Sequence, residues 1–288
     1  QGGENLVRYA AVTVTEVRSA GRTGAGCVMG SKNLKAVAVR GSNGVSVHDP
    51  AAFMEVVDDI YRRLRGDPSE PDFRKNGTLR AVNFYDKIWG NAFRNSQYSK
   101  VPDQKVKLLR AEWFIENLKT YDVACSTGCT VGCCHLCEIK GDESPAAARF
   151  AGEKGDGPEY LTVASFGMGC DLPDMAAVTH LHHVCNDYGV DLVEMGGIIS
   201  FLMELWQRGV IDENYTSRWL GRPLTLEWGN LEAVEAVIRS VALQENDLGK
   251  LFQRGLVPAA QAITEEKDYP VLQYAVYGKG GATLPEEI

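Results

Sequence analysis

The sequence predicts a mainly α-helical fold with a small N-terminal β element. Alternation of small and β-prone residues through RYAAVTVTEV predicts a strand within Leu6–Val17, and LKAVAVR predicts a second short strand over Leu34–Arg40. A glycine-rich turn, AGRTGAGCVMGSKN, joins the two. From Pro50 onward the apolar period lengthens to that of helices, with no internal repeat or low-complexity tract.

The helical body reads in order. Asp49 is a suitable N-cap with Pro50 at the first helical position. Phe53, Val56, Val57, Ile60 and Leu64 then mark one helix face. Thr78–Trp89 is helix-like, Gly90–Lys107 is polar and irregular, and Ala111–Leu118 forms a short helix. Asp142–Asp156 is a loop rich in glycine, alanine and charge. Helices follow at Pro158–Phe166, Asp174–Tyr188 (capped by Asp171 or Asp174), Asp191–Arg208, Leu231–Gln244 and Leu248–Ile263. The third of these, DLVEMGGIISFLMELWQR, is strongly apolar and is expected at the centre. A linker is expected near Arg40–Val47.

Composition narrows the class. A chain of 288 residues, 44% hydrophobic and 24% charged, suits one large soluble globular domain or two smaller ones. A net charge of −8 gives no reason to expect nucleic acid as a partner. No apolar run approaches the ~20 residues that cross a bilayer, and no signal peptide is evident, so a cytoplasmic setting without membrane insertion is expected. Eight cysteines are too sparse for a small disulfide scaffold, which favours reduced thiols or metal ligands. QGGENLVRYAAVTV enters a strand without cap or tail, and GKGGATLPEEI stops in a loop; both suggest one piece of a larger protein.

Five of the eight cysteines fall in ACSTGCTVGCCHLCE, between Cys125 and Cys137. Cys125, Cys129 and Cys133 are spaced i, i+4, i+8, and would share one face of a helix. A helix rises ~1.5 Å per residue, so the outer pair would stand ~12 Å apart, too far to grip one compact cluster. A metal site therefore needs an irregular loop, which Gly128 and Gly132 make accessible. Iron–sulfur ligation is the first reading. A zinc site through Cys134 and Cys137 with two other thiolates, and a set of buried free thiols, stay open. Haem attachment lacks its C-x-x-C-H spacing.

Gly21, Gly24, Gly26 and Gly30 match neither a P-loop nor a dinucleotide fingerprint. With Arg18, Arg22 and Lys32 nearby, they form either an anion-binding loop or a plain turn. His180, His182 and His183 cluster on one predicted helix; residues 180 and 183 share a face and read as a metal pair or, more simply, as a polar face, while Cys170 and Cys185 read as core residues.

Several stretches together resemble the tungsten-containing aldehyde:ferredoxin oxidoreductase family: GGENLVRYAAV (2–12), AGRTGAGCVMGSKNLKAVAVRG (20–41), CTVGC (129–133), GPEYLTVASFGMGCDLPD (157–174), CNDYGVDLVEMGG (185–197) and ELWQRGVI (204–211). They span nearly the whole chain, and GAGCVMGSKNLKA is a specific signature. The resemblance implies domains 2 and 3 of that fold, in part. Residues 1–43 would end an N-terminal β pterin-binding domain, 44–210 would form a helical domain holding the cysteines and a pterin motif, and 211–288 would begin a third domain. Family members run to roughly twice this length.

The resemblance further implies a tungsten (or molybdenum) bis-pterin beside a [4Fe–4S] cluster, aldehyde oxidation to a carboxylic acid, and ferredoxin or another small electron carrier as acceptor. The remainder of the polypeptide or a partner subunit would complete the enzyme, and a homodimer is compatible with it. Cys129 and Cys133 match two cluster ligands. Cys125 is the nearest counterpart of the first ligand, although the family spacing is C-x-x-C-x-x-x-C and this chain has one extra residue between Cys125 and Cys129. The family's fourth ligand has no counterpart, and Cys137 is a weaker stand-in. Arg18, Ser19, Gly21, Arg22, Gly24 and Gly26 match the segment contacting pterin phosphates and a bridging magnesium. Asn186, Gly189, Val190 and Asp191 match the D-x-x-G-L-D pterin motif, with Asn186 in place of its first aspartate. After GPEY, Leu161 occupies the position of a glutamate proposed as acid/base. Glu159 is near, but a helical step of ~100° or more would turn its side chain elsewhere. Leu161 thus leaves room for another substrate, such as an aromatic thioester, and a non-catalytic iron–sulfur subunit is a further alternative.

Overall fold

The computed structural model describes residues 1–15 and 18–284. Helices dominate, and β structure among the described residues is confined to three small sheets. Strand β1 (Val12–Thr15) pairs antiparallel with β2 (Arg18–Ala20), placing Val12 opposite Ala20 and Thr13 opposite Ser19. The expected strand over Leu6–Val17 is shorter than its pattern. Its first residues satisfy their backbone locally, in turns such as Leu6 N to Gly3 O (3.1 Å) and Ala10 N to Val7 O (3.0 Å). Glu16 and Val17 lie outside the described residues.

The glycine-rich stretch folds into a short helix, α1 (Ala25–Ser31). Gly26 lets that helix lie directly on the preceding chain, because a Cβ there would stand 2.3 Å from the Ala11 carbonyl oxygen. The second expected strand, Leu34–Arg40, does not form. Its residues are exposed coil, with Val37 70% and Val39 89% accessible, because among the described residues no neighbouring strand takes up their hydrogen bonds.

Helix α2 (Pro50–Gly66) starts as its sequence dictates: Asp49 accepts a hydrogen bond from Ala52 N at 3.0 Å, and Pro50 opens the first turn. Its apolar face, including Phe53, Val56 and Ile60, stays exposed. Then come α3 (Glu70–Asn76), α4 (Arg80–Lys87), α5 (Asp103–Val106) and α6 (Ala111–Asn117). A second sheet follows, β3 (Lys119–Val123), β4 (Cys134–Glu138) and β5 (Lys154–Asp156), all antiparallel in that order. The N-terminal element is therefore not the main β part of the chain.

The stretch expected as a Pro158–Phe166 helix is one turn, α7 (Tyr160–Thr162), that widens into a π-helical segment over Val163–Gly169. Beyond it lie α8 (Met175–Tyr188), α9 (Leu192–Gln207), α10 (Glu213–Leu220), α11 (Leu231–Leu243), α12 (Asp247–Phe252) and α13 (Leu256–Lys267). The helix expected over Leu248–Ile263 is split by Gly255, which takes φ 98°. A short hairpin, β6 (Tyr277–Gly278) with β7 (Gly281–Ala282), ends the described chain.

One hydrophobic core joins these pieces, from Val7 to Ala282. Helix α9 is at its centre, with Ile198, Ile199, Phe201, Leu202, Met203 and Leu205 fully buried. Its buried Glu194 accepts backbone hydrogen bonds from Leu256 (2.7 Å) and Ala282 (2.6 Å), so one carboxylate pins the start of α13 and strand β7. Asp174 has a similar double duty. It caps α8 through Ala177 N (3.1 Å) and also accepts from the Ser144 hydroxyl (2.8 Å) and Ala146 N (3.2 Å), tying the 142–156 loop to the helix. Replacing Asp174 with Ala is expected to lower unfolding free energy by about 1–2 kcal/mol in urea denaturation, with Asp174→Asn retaining most of it.

Candidate functional site

The cysteines lie on a loop closed by a strand pair. Val123 on β3 is opposite Cys134 on β4, so residues 124–133 leave and return at one place. Gly128 (φ 89°) and Gly132 (φ 61°) take the left-handed backbone that the metal reading required. Two helices brace the loop: Tyr61 of α2 donates to Gly128 O (2.9 Å) and Arg74 of α3 to Thr130 O (3.2 Å). Backbone N–H groups of Gly132 and Val131 stabilise the Cys129 thiolate and hold its pKa below the ordinary thiol value. Burial pushes Cys133 up, and the Glu159 carboxylate adds to that shift.

The loop thus carries thiol donors, glycine hinges and N–H groups aimed at sulfur, the chemistry an iron–sulfur cluster requires. The thiols come together pairwise, Cys125 with Cys129, and among the described residues no three His, Cys, Asp or Glu side chains form a ready metal-holding group. Cys137 does not suit the stand-in role. It is buried on β4 with its sulfur toward the Gly155 and Asp156 carbonyls (3.6 Å each), and burial pushes its thiol up to about 12. Cys170 and Cys185 are fully buried, as the core reading required.

Arg18 joins the loop to the rest of the site. Its Nη2 donates to the Cys134 sulfur and its Nη1 meets Glu159 Oε1 at 3.3 Å. The other Glu159 oxygen accepts from the Thr78 hydroxyl, and Thr78 in turn accepts from Tyr160 N (2.9 Å). Glu159 is the N-cap position of α7, with extended backbone (φ −85°, ψ 168°), so the helical angle expected between residues 159 and 161 does not apply. Leu161 packs half-buried against the core.

Arg18, Ser19 and Asn186 line one cavity of about 660 Å³, together with Asp156, Glu159 and His182. His182 pairs with Asp156 Oδ2 (2.8 Å) and with the Thr162 hydroxyl (3.0 Å). Burial opposes ionisation of Asp156, but the hydrogen bond and charge of His182 outweigh it and its pKa is lowered. Asn186 donates weakly to the same carboxylate (3.4 Å). His180 and His183 do share a face: both meet Glu153, at 2.8 and 3.5 Å.

The 186–191 segment is stitched by backbone to residues 9–11, just ahead of the β1–β2 hairpin, and an ion pair joins it to the glycine-rich segment. Ala10 bridges Val190, Ala11 N donates to Gly189 O (2.9 Å) and Asp191 N to Tyr9 O (3.0 Å). Arg22 pairs with Asp191 (3.4 Å), whose other oxygen caps α9 through Val193 N (3.1 Å). Gly26 and Gly189 line a further cavity of about 400 Å³, and Gly21 faces open space. Gly24 instead abuts the Arg8 carbonyl, so its missing side chain serves packing. The sequence reading missed Thr78 and Asp156, which tertiary contacts alone place, and took His182 only as one of a histidine cluster, although it stands one helical turn before Asn186 and meets it at 3.2 Å.

The fold recurs in a solved structure of the active-site complex of benzoyl coenzyme A reductase bound to 1,5-dienoyl-CoA. That likeness has a TM-score of 0.72 and 20% identity, and it covers 99% of this chain and 41% of that one. The sequence matches the N-terminal domain of aldehyde ferredoxin oxidoreductase over residues 1–41 and domains 2 and 3 over residues 55–280. The chain therefore belongs to the aldehyde ferredoxin oxidoreductase family. It is 31% identical to a tungsten-containing aldehyde ferredoxin oxidoreductase of Pyrococcus furiosus, over 95% of this chain and 42% of that protein. With its counterpart in Thermococcus kodakarensis it shares 32% identity, over 88% and 39%. It is also 28% identical to the WOR-like subunit of an aliphatic sulfonate oxidoreductase of P. furiosus, over 97% and 42%. The chain spans about two fifths of the length of these relatives.

One pH dependence follows from the histidine cluster. Burial opposes charging of His180, but Glu235 and Glu153 outweigh it and raise its pKa. A raised folded value contributes stability that is complete below the unfolded histidine value and lost as pH rises through the folded one. The unfolding free energy of the protein is therefore expected to fall between about pH 6 and pH 8 more steeply than that of a His180→Gln variant. Parallel urea-denaturation curves across that window would contradict the assignment.

Proposed function

We propose that this chain is the cluster-binding and pterin-facing part of a tungsten- or molybdenum-dependent oxidoreductase that converts an aldehyde to a carboxylic acid. The observation that carries the reading is the meeting of a braced thiol loop and a carboxylate on one arginine, at the edge of the 660 Å³ cavity and of a second cleft of about 1000 Å³. Balanced, the reaction takes aldehyde and water to carboxylic acid, two protons and two electrons. A bound metal–pterin centre would supply the two-electron oxidation, and a [4Fe–4S] cluster on the thiol loop would supply one-electron transfer to ferredoxin or a similar small carrier.

The chain's own residues have distinct tasks. Cys125, Cys129 and Cys133 would hold the cluster, with the fourth ligand supplied by the remainder of the polypeptide or a partner subunit. Arg18, Ser19, Asn186 and the Arg22–Asp191 pair would hold the pterin and its phosphates, whose charge magnesium would help to neutralise. Gly189 and Val190 hold that segment against residues 9–11 by backbone bonds. Leu161 cannot move a proton. Glu159 can, and its position at the cavity junction makes it the acid/base of this reading.

The test is elemental analysis of the natively purified full-length protein. Tungsten or molybdenum, with iron and acid-labile sulfide, is the expected result. Zinc alone would overturn the proposal, and iron with sulfide but neither heavy metal would favour an electron-transfer subunit.

A further inference from the structure

Arg18 and Glu159 stand where two cavities meet. On the side away from His182 lies a cleft of about 1000 Å³, the upper end of the range for small-molecule sites. Arg18, Thr78 and Glu159 stand at the junction; elsewhere the lining combines an apolar and aromatic wall with polar groups from the α2–α3 turn, Asp67, Ser69 and Glu70, and Arg80 of α4. Phe84, Tyr85 and Tyr160 make a continuous aromatic wall: the first two rings meet edge-on at 5.3 Å, and Tyr85 and Tyr160 lie 5.3 Å apart and tilted by 30°. Phe84 is 59% exposed at the outer end of that wall, while Tyr160 is buried at its inner end beside Glu159. Leu161 and Phe73 add apolar surface, and Arg80 steadies Phe73 with its guanidinium 5.7 Å from the ring centre.

We propose that this cleft is the substrate site and that it selects carbonyl compounds bearing an aromatic or comparably bulky apolar group. The ring would lie along Phe84, Tyr85 and Tyr160, with the carbonyl directed to Arg18, Thr78 and Glu159. A two-carbon aldehyde would leave most of the aromatic wall in water, whereas an aromatic ring removes apolar area on both partners. Leu161 is then part of the selectivity: an apolar side chain in the wall accepts a ring that a carboxylate would repel. The choice of reacting group rests on the oxidoreductase reading above; the preference of the cleft for aromatic ligands does not.

The experiment has two arms on the full-length protein. In the first, kcat/KM is measured on the holoenzyme for benzaldehyde and acetaldehyde, with wild type, Phe84→Ala and Phe84→Tyr. Wild type is expected to favour benzaldehyde by about tenfold or more, Phe84→Ala to lose about tenfold of that preference, and Phe84→Tyr to keep it. In the second arm, binding of benzoate and acetate is measured by calorimetry on the same three proteins. Tighter binding of benzoate, weakened in Phe84→Ala and kept in Phe84→Tyr, is expected. Equal kcat/KM values for the two aldehydes, or a preference unchanged in Phe84→Ala, would overturn the proposal. Should neither aldehyde turn over, the oxidoreductase reading fails, and the binding arm decides the cleft alone: benzoate bound no better than acetate would overturn it.

Discussion

The guanidinium of Arg18 is the constraint on which the site depends. It is a permanent charge in a partly buried place, and burial by itself disfavours it; the Cys134 sulfur and the Glu159 carboxylate restore the balance and raise its pKa above the ordinary value. Those two partners belong to different elements, the strand that closes the thiol loop and the cap of α7. Glu159 is held in turn by Thr78, ahead of α4. A single side chain on a three-residue strand therefore sets the relative placement of the loop, the carboxylate and both cavities.

The surrounding structure keeps that arrangement rigid with backbone and charge. The sheet β3–β4–β5 fixes the base of the loop, and α2 and α3 brace its tip. Helix α8 brings His182 to Asp156 at the end of β5, and the bridge between Ala10 and Val190 locks the N-terminal hairpin region to the start of α9. Within the cavity the charges are matched in place, an arrangement that orients groups without reorganising when a ligand arrives.

Helix α9 was legible because its signals are local: a dense apolar run, opened by a capping Asp191, gave bounds within a residue of those observed. Helix α8 was legible for the same reason, through Asp174. The sheet β3–β4–β5 was not legible. Its strands are three to five residues long, and its pairings, such as Val123 with Cys134 and Leu136 with Asp156, are decided by contacts that no short window contains. Residues 34–40 show the opposite case, where the local pattern of a strand is present but nothing pairs with it among the described residues. In the site, the need for an irregular thiol loop followed from spacing and glycine chemistry. The partners of Arg18 did not, since Cys134 and Glu159 lie 116 and 141 residues further along the chain. The same limit misplaced Glu159: a helical angle was assumed where the backbone is extended.

Arg18 couples the thiol loop electrostatically to the cavity. The most direct test is an EPR-monitored redox titration of the cluster in the full-length holoenzyme, comparing wild type with Arg18→Gln, and with Arg239→Gln, whose exposed guanidinium pairs with Glu245, as a surface control. Loss of a positive charge beside an iron–sulfur cluster lowers its potential, and Arg18 also bonds the side chain of Cys125, one of the thiols that would hold it. The account predicts an intact cluster whose midpoint potential falls in Arg18→Gln and stays unchanged in Arg239→Gln. An Arg18→Gln cluster with the wild-type potential would contradict it.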